Sequence, residues 1–107
     1  MDFMERCYQK NSLTISKMID SEVFLIPSQD NLVDLENVYI LDGIGTRIWE
    51  LIDGKRSVKQ IKEIVAKEYE VEPQQLEDDL STIFKQLEKK SCIKMKKFKD
   101  LKNQINP

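Results

Sequence analysis

The chain has 107 residues, of which 34% are charged and 40% hydrophobic, and its net charge is −2. This length suits one domain with a modest core, and the balance is that of a folded, soluble domain rather than a disordered chain. The small charge gives no overall attraction for nucleic acid, and no apolar run approaches the ~18 residues of a membrane span. Residues 1–11 lack the basic and then apolar order of a signal peptide, so we expect a cytoplasmic protein with no membrane partner.

The residue types also argue against metal and acid–base chemistry. The chain has no histidine, which removes the usual general base near neutral pH and every Ser-His or Cys-His pair. Cys7 and Cys92 are too few for a zinc site and are expected to be idle thiols. Gly43 and Gly45 lack the third glycine of a phosphate-binding loop. We expect no catalysis, no cofactor and no metal site.

The first half of the chain predicts a small antiparallel sheet. Residues 1–12 show no periodicity and are predicted to be a flexible N-terminal arm. Alternation from Leu13 to Asp20 predicts a first strand, and 23–26 a second, with a turn at Ser21-Glu22 between them. Pro27 should end the second strand, since it has no N–H to donate.

A loop and a third strand should follow. The composition of residues 28–31, SQDN, predicts a loop. The next extended run is 38–41, VYIL, which we take as the third strand of the sheet.

The second half of the chain changes to helical periodicity. A first helix is predicted over 44–52, with Asp42 as its N-cap and Gly54 just beyond its end. A second helix begins at Ser57, where a glutamine three residues on completes a capping box. A third helix has Pro73 in its first turn. Its apolar stripe consists of Leu76, Leu80, Ile83, Phe84 and Leu87.

The ordered set of short motifs in this region resembles the PqqD-like family, also known as the RiPP recognition element (RiPP: ribosomally made, post-translationally modified peptide). The resemblance covers Glu22 to Ile93 and rests on the order and spacing of the motifs rather than on any one of them. The motifs are Leu41-Asp42, Ile48-Trp49-Glu50, Asp53-Gly54, Ser57-Val58, and Asp79-Leu80 followed by Ile83-Phe84 and Leu87. The departures, Asp42 for Asn and Ile83-Phe84 for Phe-Leu, are conservative.

The resemblance implies a fold and an organisation of the chain. It implies a winged-helix-like α+β domain over residues 13–93, with a small three-stranded antiparallel sheet followed by three helices. The arm at 1–12 and a lysine-rich tail at 94–107 have no counterpart in the shared pattern.

The resemblance also implies a function. Proteins of this family bind the leader segment of a precursor peptide and present it to a modifying enzyme, often a radical SAM maturase, in PQQ (pyrroloquinoline quinone) or RiPP biosynthesis. The peptide adds as a strand to the third strand and fills the groove beside the third helix. The candidate peptide-binding residues are Val38, Tyr39, Ile40, Leu41, Asp79, Leu80, Ile83, Phe84 and Leu87. An exposed edge strand would also permit a homodimer.

Other interpretations of the same residues stay open. The third strand and the apolar stripe of the third helix are also what an ordinary core requires. The acids Glu77, Asp78 and Asp79 form a negative edge with which a basic leader residue could pair, and the alternative is that they only compensate the dipole of the third helix. The alternative function is that of a winged-helix DNA-binding regulator, although acids in the first half of the third helix would repel phosphates. A plain scaffold or oligomerisation module is the third interpretation.

Overall fold

The computed structural model describes residues 2–96, and the chain folds in the predicted order, with the sheet ahead of the helices. The three helices are α1 (Ile44–Leu51), α2 (Val58–Glu68) and α3 (Pro73–Lys89). The strands of this part of the chain are β1 (Tyr8–Lys10), β2 (Ile15–Ile19), β3 (Glu22–Ile26), β4 (Ser28–Gln29), β5 (Leu32–Val33), β6 (Tyr39–Leu41) and β7 (Ile93–Met95). Short 3-10 helices span Phe3–Glu5 and Leu35–Asn37. The predicted α+β class is confirmed.

The central sheet is antiparallel, with β3 between β2 and β6. Its first hairpin closes through Asp20 and Ser21, whose φ angles are 49° and 71°. A two-residue turn with both φ angles positive matches the right-handed twist of the flanking strands. The turn lies one residue earlier than predicted, because Glu22 already pairs with Ile19 inside the ladder.

Residues 28–31 were predicted as a loop, and the structure places a small hairpin there instead. Ser28 pairs with Val33 and Gln29 with Leu32, forming the β4–β5 hairpin. Its turn is Asp30-Asn31, with φ angles of 53° and 65°. Composition marks the turn residues correctly, but strands of two residues are too short to leave a periodic signal.

Helix α1 begins differently from the prediction. Gly43, at φ 51°, is the N-cap residue and has no side chain with which to cap the helix. Asp42 contributes its carbonyl oxygen, which accepts hydrogen bonds from the N–H groups of Gly45 (2.9 Å) and Thr46 (3.4 Å). The prediction of Asp42 as the N-cap is therefore wrong. Gly54 lies just beyond the helix, as predicted, and its φ of 78° is one that glycine adopts without strain.

Helices α2 and α3 begin as predicted. The Ser57 hydroxyl accepts from the Gln60 N–H at 3.1 Å, and the Gln60 side-chain oxygen accepts from the Ser57 N–H at 2.8 Å. This is a complete capping box. Pro73 occupies the first turn of α3, where its missing N–H leaves no hydrogen bond unmade.

Replacing Ser57 by Ala is expected to lower the free energy of unfolding by about 1 kcal/mol, because it removes the acceptor for an otherwise unpaired N–H of α2. Urea denaturation followed by Trp49 fluorescence measures the change. Ser57→Thr keeps a hydroxyl cap and serves as the matched control. An Ala variant as stable as the Thr variant would contradict this account.

The core lies between one face of the central sheet and the apolar faces of the three helices. The sheet contributes three buried residues, and each helix contributes three or four. These residues are Val23, Leu25, Leu41, Ile48, Trp49, Leu51, Val58, Ile61, Val65, Leu76, Leu80, Phe84 and Leu87.

The prediction of a flexible arm over residues 1–12 is wrong for residues 3–10. Strand β1 pairs with β7, and the side chain of Tyr8 is only 2% exposed. The ring centroids of Tyr8 and Phe84 are 4.9 Å apart, and those of Phe3 and Phe84 are 5.7 Å apart. The N-terminal residues therefore belong to the hydrophobic core.

The predicted tail also begins later than residue 94. Lys94 and Met95 belong to β7, and the N–H of Lys96 donates to the carbonyl oxygen of Cys7 at 2.8 Å. The predicted tail lysines Lys97, Lys99 and Lys102 lie outside the described residues.

Both cysteines are free thiols, and burial raises the pKa of the Cys92 thiol. Within residues 2–96, no helix is long and apolar enough to cross a membrane.

Candidate peptide-binding site

Strand β6 forms an open edge of the central sheet. It pairs with β3 on one side, and no strand among residues 2–96 pairs with it on the other. Neither proline nor charge, the usual means of blocking such an edge, occurs within Tyr39–Leu41. A free strand edge is a template for another extended chain.

The register of the β2–β3 hairpin determines which residues of β3 direct their N–H and C=O groups towards β2 and which direct them towards β6. Ile19 and Glu22 pair directly across the two-residue turn, and such a closing pair exchanges its N–H and C=O groups. Because the direction alternates along a strand, the backbone groups of Val23 and Leu25 then point away from β2 and towards β6.

Ile40 is therefore the residue that offers backbone groups at the open edge. Leu41 and Tyr39 stand opposite Val23 and Leu25 in hydrogen-bonded positions. Ile40 stands opposite Phe24 between them, so its N–H and C=O point away from β3. An added strand would find one donor and one acceptor at this residue.

The side chains of β6 alternate between the two faces of the sheet. Leu41 is buried, and Tyr39 is half-buried against the core. Burial also raises the pKa of the Tyr39 phenol. Ile40 points to the opposite face and is 48% exposed. An added strand would meet an aromatic and aliphatic surface on the helix side and Ile40 on the outer side.

Three of the residues predicted to line the groove lie in the core. Leu80, Phe84 and Leu87 are each exposed by 1% or less. They lie on the side of α3 that faces the other elements, where the apolar stripe is deepest. They have no surface to offer a peptide in this structure, so their predicted contact role is revised to that of core residues.

Asp79 and Ile83 remain candidates, and the structure adds two further residues to them. All four side chains are half-buried. Three follow one face of α3 at spacings of four and three residues, and the fourth is the C-cap residue four positions further on. We call them the α3 strip: Asp79, Ile83, Gln86 and Lys90. The sequence analysis missed Gln86 and Lys90, which continue the helical spacing from Ile83 but are polar.

The α3 strip lies beside β6 and runs in the opposite direction. A Cβ built on Gly45 would be 3.2 Å from Leu41 Cδ2 and 3.8 Å from Ile83 Cδ1, which places Ile83 near the end of β6. Lys90 Nζ is 5.8 Å from the ring centroid of Tyr39, which places Lys90 near its beginning. The strip therefore borders the whole strand and ends in opposite charges.

The site offers hydrogen bonds, apolar contacts and charges. Strand addition by an extended polypeptide requires groups of these kinds. Among residues 2–96, no three His, Cys, Asp or Glu side chains come together as a metal site would require.

The cations on and beside α2, which a DNA duplex would contact in a winged-helix regulator, lie among acids. Lys62 Nζ pairs with Glu77 Oε1 at 2.5 Å. Arg47 donates two hydrogen bonds to Glu68, at 2.7 and 2.9 Å, and this pairing holds the pKa of Glu68 below its usual range. Carboxylates thus lie among the cations of α2, where a phosphate backbone would meet repulsion.

The fold and the site can be compared with known proteins. The chain is similar to a solved structure described as TbiB1 in complex with the TbiA(beta) leader peptide. The TM-score is 0.66 at 27% identity, over 80% of this chain and 94% of TbiB1. No curated protein matches the sequence.

A family model gives the assignment. The model described as "Coenzyme PQQ synthesis protein D (PqqD)" matches residues 31–93, more than half of the chain. The match begins ahead of β6 and ends in β7, so it spans the open edge, all three helices and the α3 strip. The resemblance inferred from the sequence motifs is confirmed, and the chain belongs to the PqqD family.

Proposed function

We propose that this chain binds the leader segment of a ribosomally made precursor peptide and presents it to a modifying enzyme, doing no chemistry itself. The observation that carries the proposal is the open edge of β6, where Ile40 offers a free N–H and C=O beside the α3 strip. The similarity to TbiB1, whose solved structure contains a leader peptide, supports it.

Binding would proceed by strand addition. The peptide backbone would exchange hydrogen bonds with Ile40, and these bonds supply affinity that is largely independent of sequence. Alternate side chains would point towards Tyr39 and Ile83 on the helix side. Their fit to that surface would supply the selectivity.

Leader binding would raise the effective concentration of the precursor at the modifying enzyme. A leader held here, on a carrier that also docks on the enzyme, keeps the rest of the precursor near the catalytic centre at high effective concentration. In this family the enzyme is often a radical SAM maturase, and its iron–sulfur clusters would be held by the enzyme's own residues. Since precursors are made by ribosomes, we place this encounter in the cytoplasm.

An amide-resolved NMR titration tests the proposal. The ¹⁵N-labelled chain is titrated with the leader peptide of a precursor encoded beside its gene, and separately with the TbiA(beta) leader peptide. A DNA duplex serves as the control ligand. We expect saturable shifts from at least one peptide, confined to residues 38–42 and to the α3 strip.

Two other results would contradict the proposal. Shifts caused by DNA alone and centred on α2 would indicate a winged-helix regulator. Shifts at β6 that appear on concentrating the free chain, and that no peptide alters, would indicate a homodimer formed through this edge. Spectra of the free chain at two concentrations separate self-association from peptide binding.

A further inference from the structure

An open cavity of about 920 Å³ lies next to the beginning of β6. One side is the β4–β5 hairpin, and the other is the C-terminal end of α3. The lining includes three aliphatic side chains and three polar or basic ones: Leu13, Leu32, Val33, Gln86, Lys89 and Lys90. Gln86 and Lys90 belong to the α3 strip as well, so the cavity is continuous with the proposed peptide site.

One wall of the cavity is apolar and faces solvent. Leu32 is 74% exposed, and Leu13 and Val33 are each more than half exposed. One hydrogen bond closes the base of the hairpin that carries the wall: the Asp34 N–H donates to the Pro27 carbonyl oxygen at 2.8 Å. Single exposed apolar residues are common, but three on one wall of a cavity are typical of a binding surface.

The opposite wall is basic. Neither Lys89 nor Lys90 forms an ion pair among residues 2–96. Two acids also line the cavity, but both oxygens of Asp34 already accept hydrogen bonds, from Glu36 N–H (3.1 Å) and the Asn37 amide (2.7 Å). Asp30 lies in the hairpin turn. Both acids lie on the hairpin side, so the α3 side of the cavity carries only the positive charges of Lys89 and Lys90 and is complementary to a carboxylate.

The direction of the sheet decides which part of a bound peptide reaches this cavity. Every strand pair among residues 2–96 is antiparallel, so an antiparallel strand is the natural addition to β6. Such a peptide enters beside Leu41 and leaves beside Tyr39, where Lys90 and the cavity lie. The residues that arrive there follow the strand-forming segment on its C-terminal side.

We propose that this cavity is a second subsite for the same peptide, which takes an apolar side chain and a carboxylate just C-terminal to the strand-forming segment. The subsite rests on the proposed function, because the peptide must first pair with β6. The subsite extends the proposed function by specifying the leader residues that follow the added strand: an apolar residue and an acidic one.

A selection from a random peptide library tests the subsite. An mRNA-displayed library of random peptides is selected on the wild-type chain and on the charge-reversed variant K89E/K90E. The matched control, K59E/K67E, changes the net charge equally and also reverses a lysine in the last turn of a helix. Circular dichroism checks that each variant is folded.

Wild type and control should enrich peptides with Asp or Glu on the C-terminal side of an alternating stretch. The K89E/K90E variant should enrich Lys or Arg at the same place. A resynthesised wild-type peptide should lose roughly fivefold in affinity for K89E/K90E, the weight of one partly exposed ion pair. The subsite would be overturned if wild type and K89E/K90E enriched the same peptide sequences. It would also be overturned if the enriched peptides carried Asp or Glu only on the N-terminal side of the alternating stretch.

A fourth target, Ile40→Pro, separates failure of the subsite from failure of the proposed function. If the enriched peptides bind wild type and K89E/K90E equally well but do not bind the Ile40→Pro variant, only the subsite is contradicted. Peptides selected equally well by the Ile40→Pro variant contradict strand addition at β6, and a library without any enriched peptide contradicts peptide binding. Both of these outcomes overturn the subsite as well.

Discussion

Proline in place of Ile40 is expected to lower leader-peptide affinity at least about tenfold while the domain stays folded. The substitution removes the N–H that points to the open edge, a hydrogen bond worth about 1 kcal/mol, and places a ring where the added strand must approach. The fold should tolerate it, because that N–H makes no bond inside the sheet and the side chain is half exposed. Fluorescence anisotropy with the leader peptide from the titration measures the affinity.

Two neighbouring variants make this result specific. Ile40→Ala keeps the N–H and removes most of the side chain, so it should retain most of the affinity if main-chain hydrogen bonds dominate. Tyr39→Pro removes an N–H that points to Leu25 inside the sheet and should destabilise the domain instead. Equal affinity of wild type and Ile40→Pro would exclude strand addition at this edge.

The helices could be predicted from the sequence because their signals are local. The capping box of Ser57 and Gln60, the proline that opens α3 and the apolar stripe of that helix all lie within a few turns. The central strands alternate over four or five residues, which is enough to identify them. The open edge could be predicted only through the family resemblance.

The N-terminal strand depends on an interaction that no local pattern reveals. Strand β1 has three residues and is ordered by β7, at the other end of the described chain. Neither strand is long enough to show periodicity. Tyr8 is a core residue because of this pairing and its contact with Phe84, and both are contacts distant in sequence.

The division of α3 between core and surface was also beyond the sequence. Ile83 and Phe84 are adjacent, apolar and both part of one stripe, so the pattern cannot distinguish them. The structure separates them: Phe84 meets the rings of Phe3 and Tyr8, whereas Ile83 lies at the margin near Gly45. The inclusion of the N-terminal residues in the core is what buries Phe84.

Replacing Phe84 by Ala is therefore expected to destabilise the domain by about 3–5 kcal/mol, because it leaves a cavity beneath two aromatic rings. That loss is a large part of the 5–15 kcal/mol by which domains are usually stable. Urea denaturation followed by Trp49 fluorescence measures it. Peptide binding should fall only in proportion to the unfolded fraction.

Ile83→Ala gives the comparison, because this side chain is half-buried at the margin of the core. It should cost roughly 1–2 kcal/mol of stability, less than a fully buried residue. Peptide affinity should fall roughly fivefold if ~40 Å² of apolar contact is lost. A stable Phe84→Ala variant that loses affinity would restore Phe84 to the peptide site. The expected outcome is a destabilised Phe84→Ala variant whose folded fraction binds the peptide normally, together with a folded Ile83→Ala variant that binds it weakly. That outcome would place Phe84 in the core and Ile83 in the peptide site.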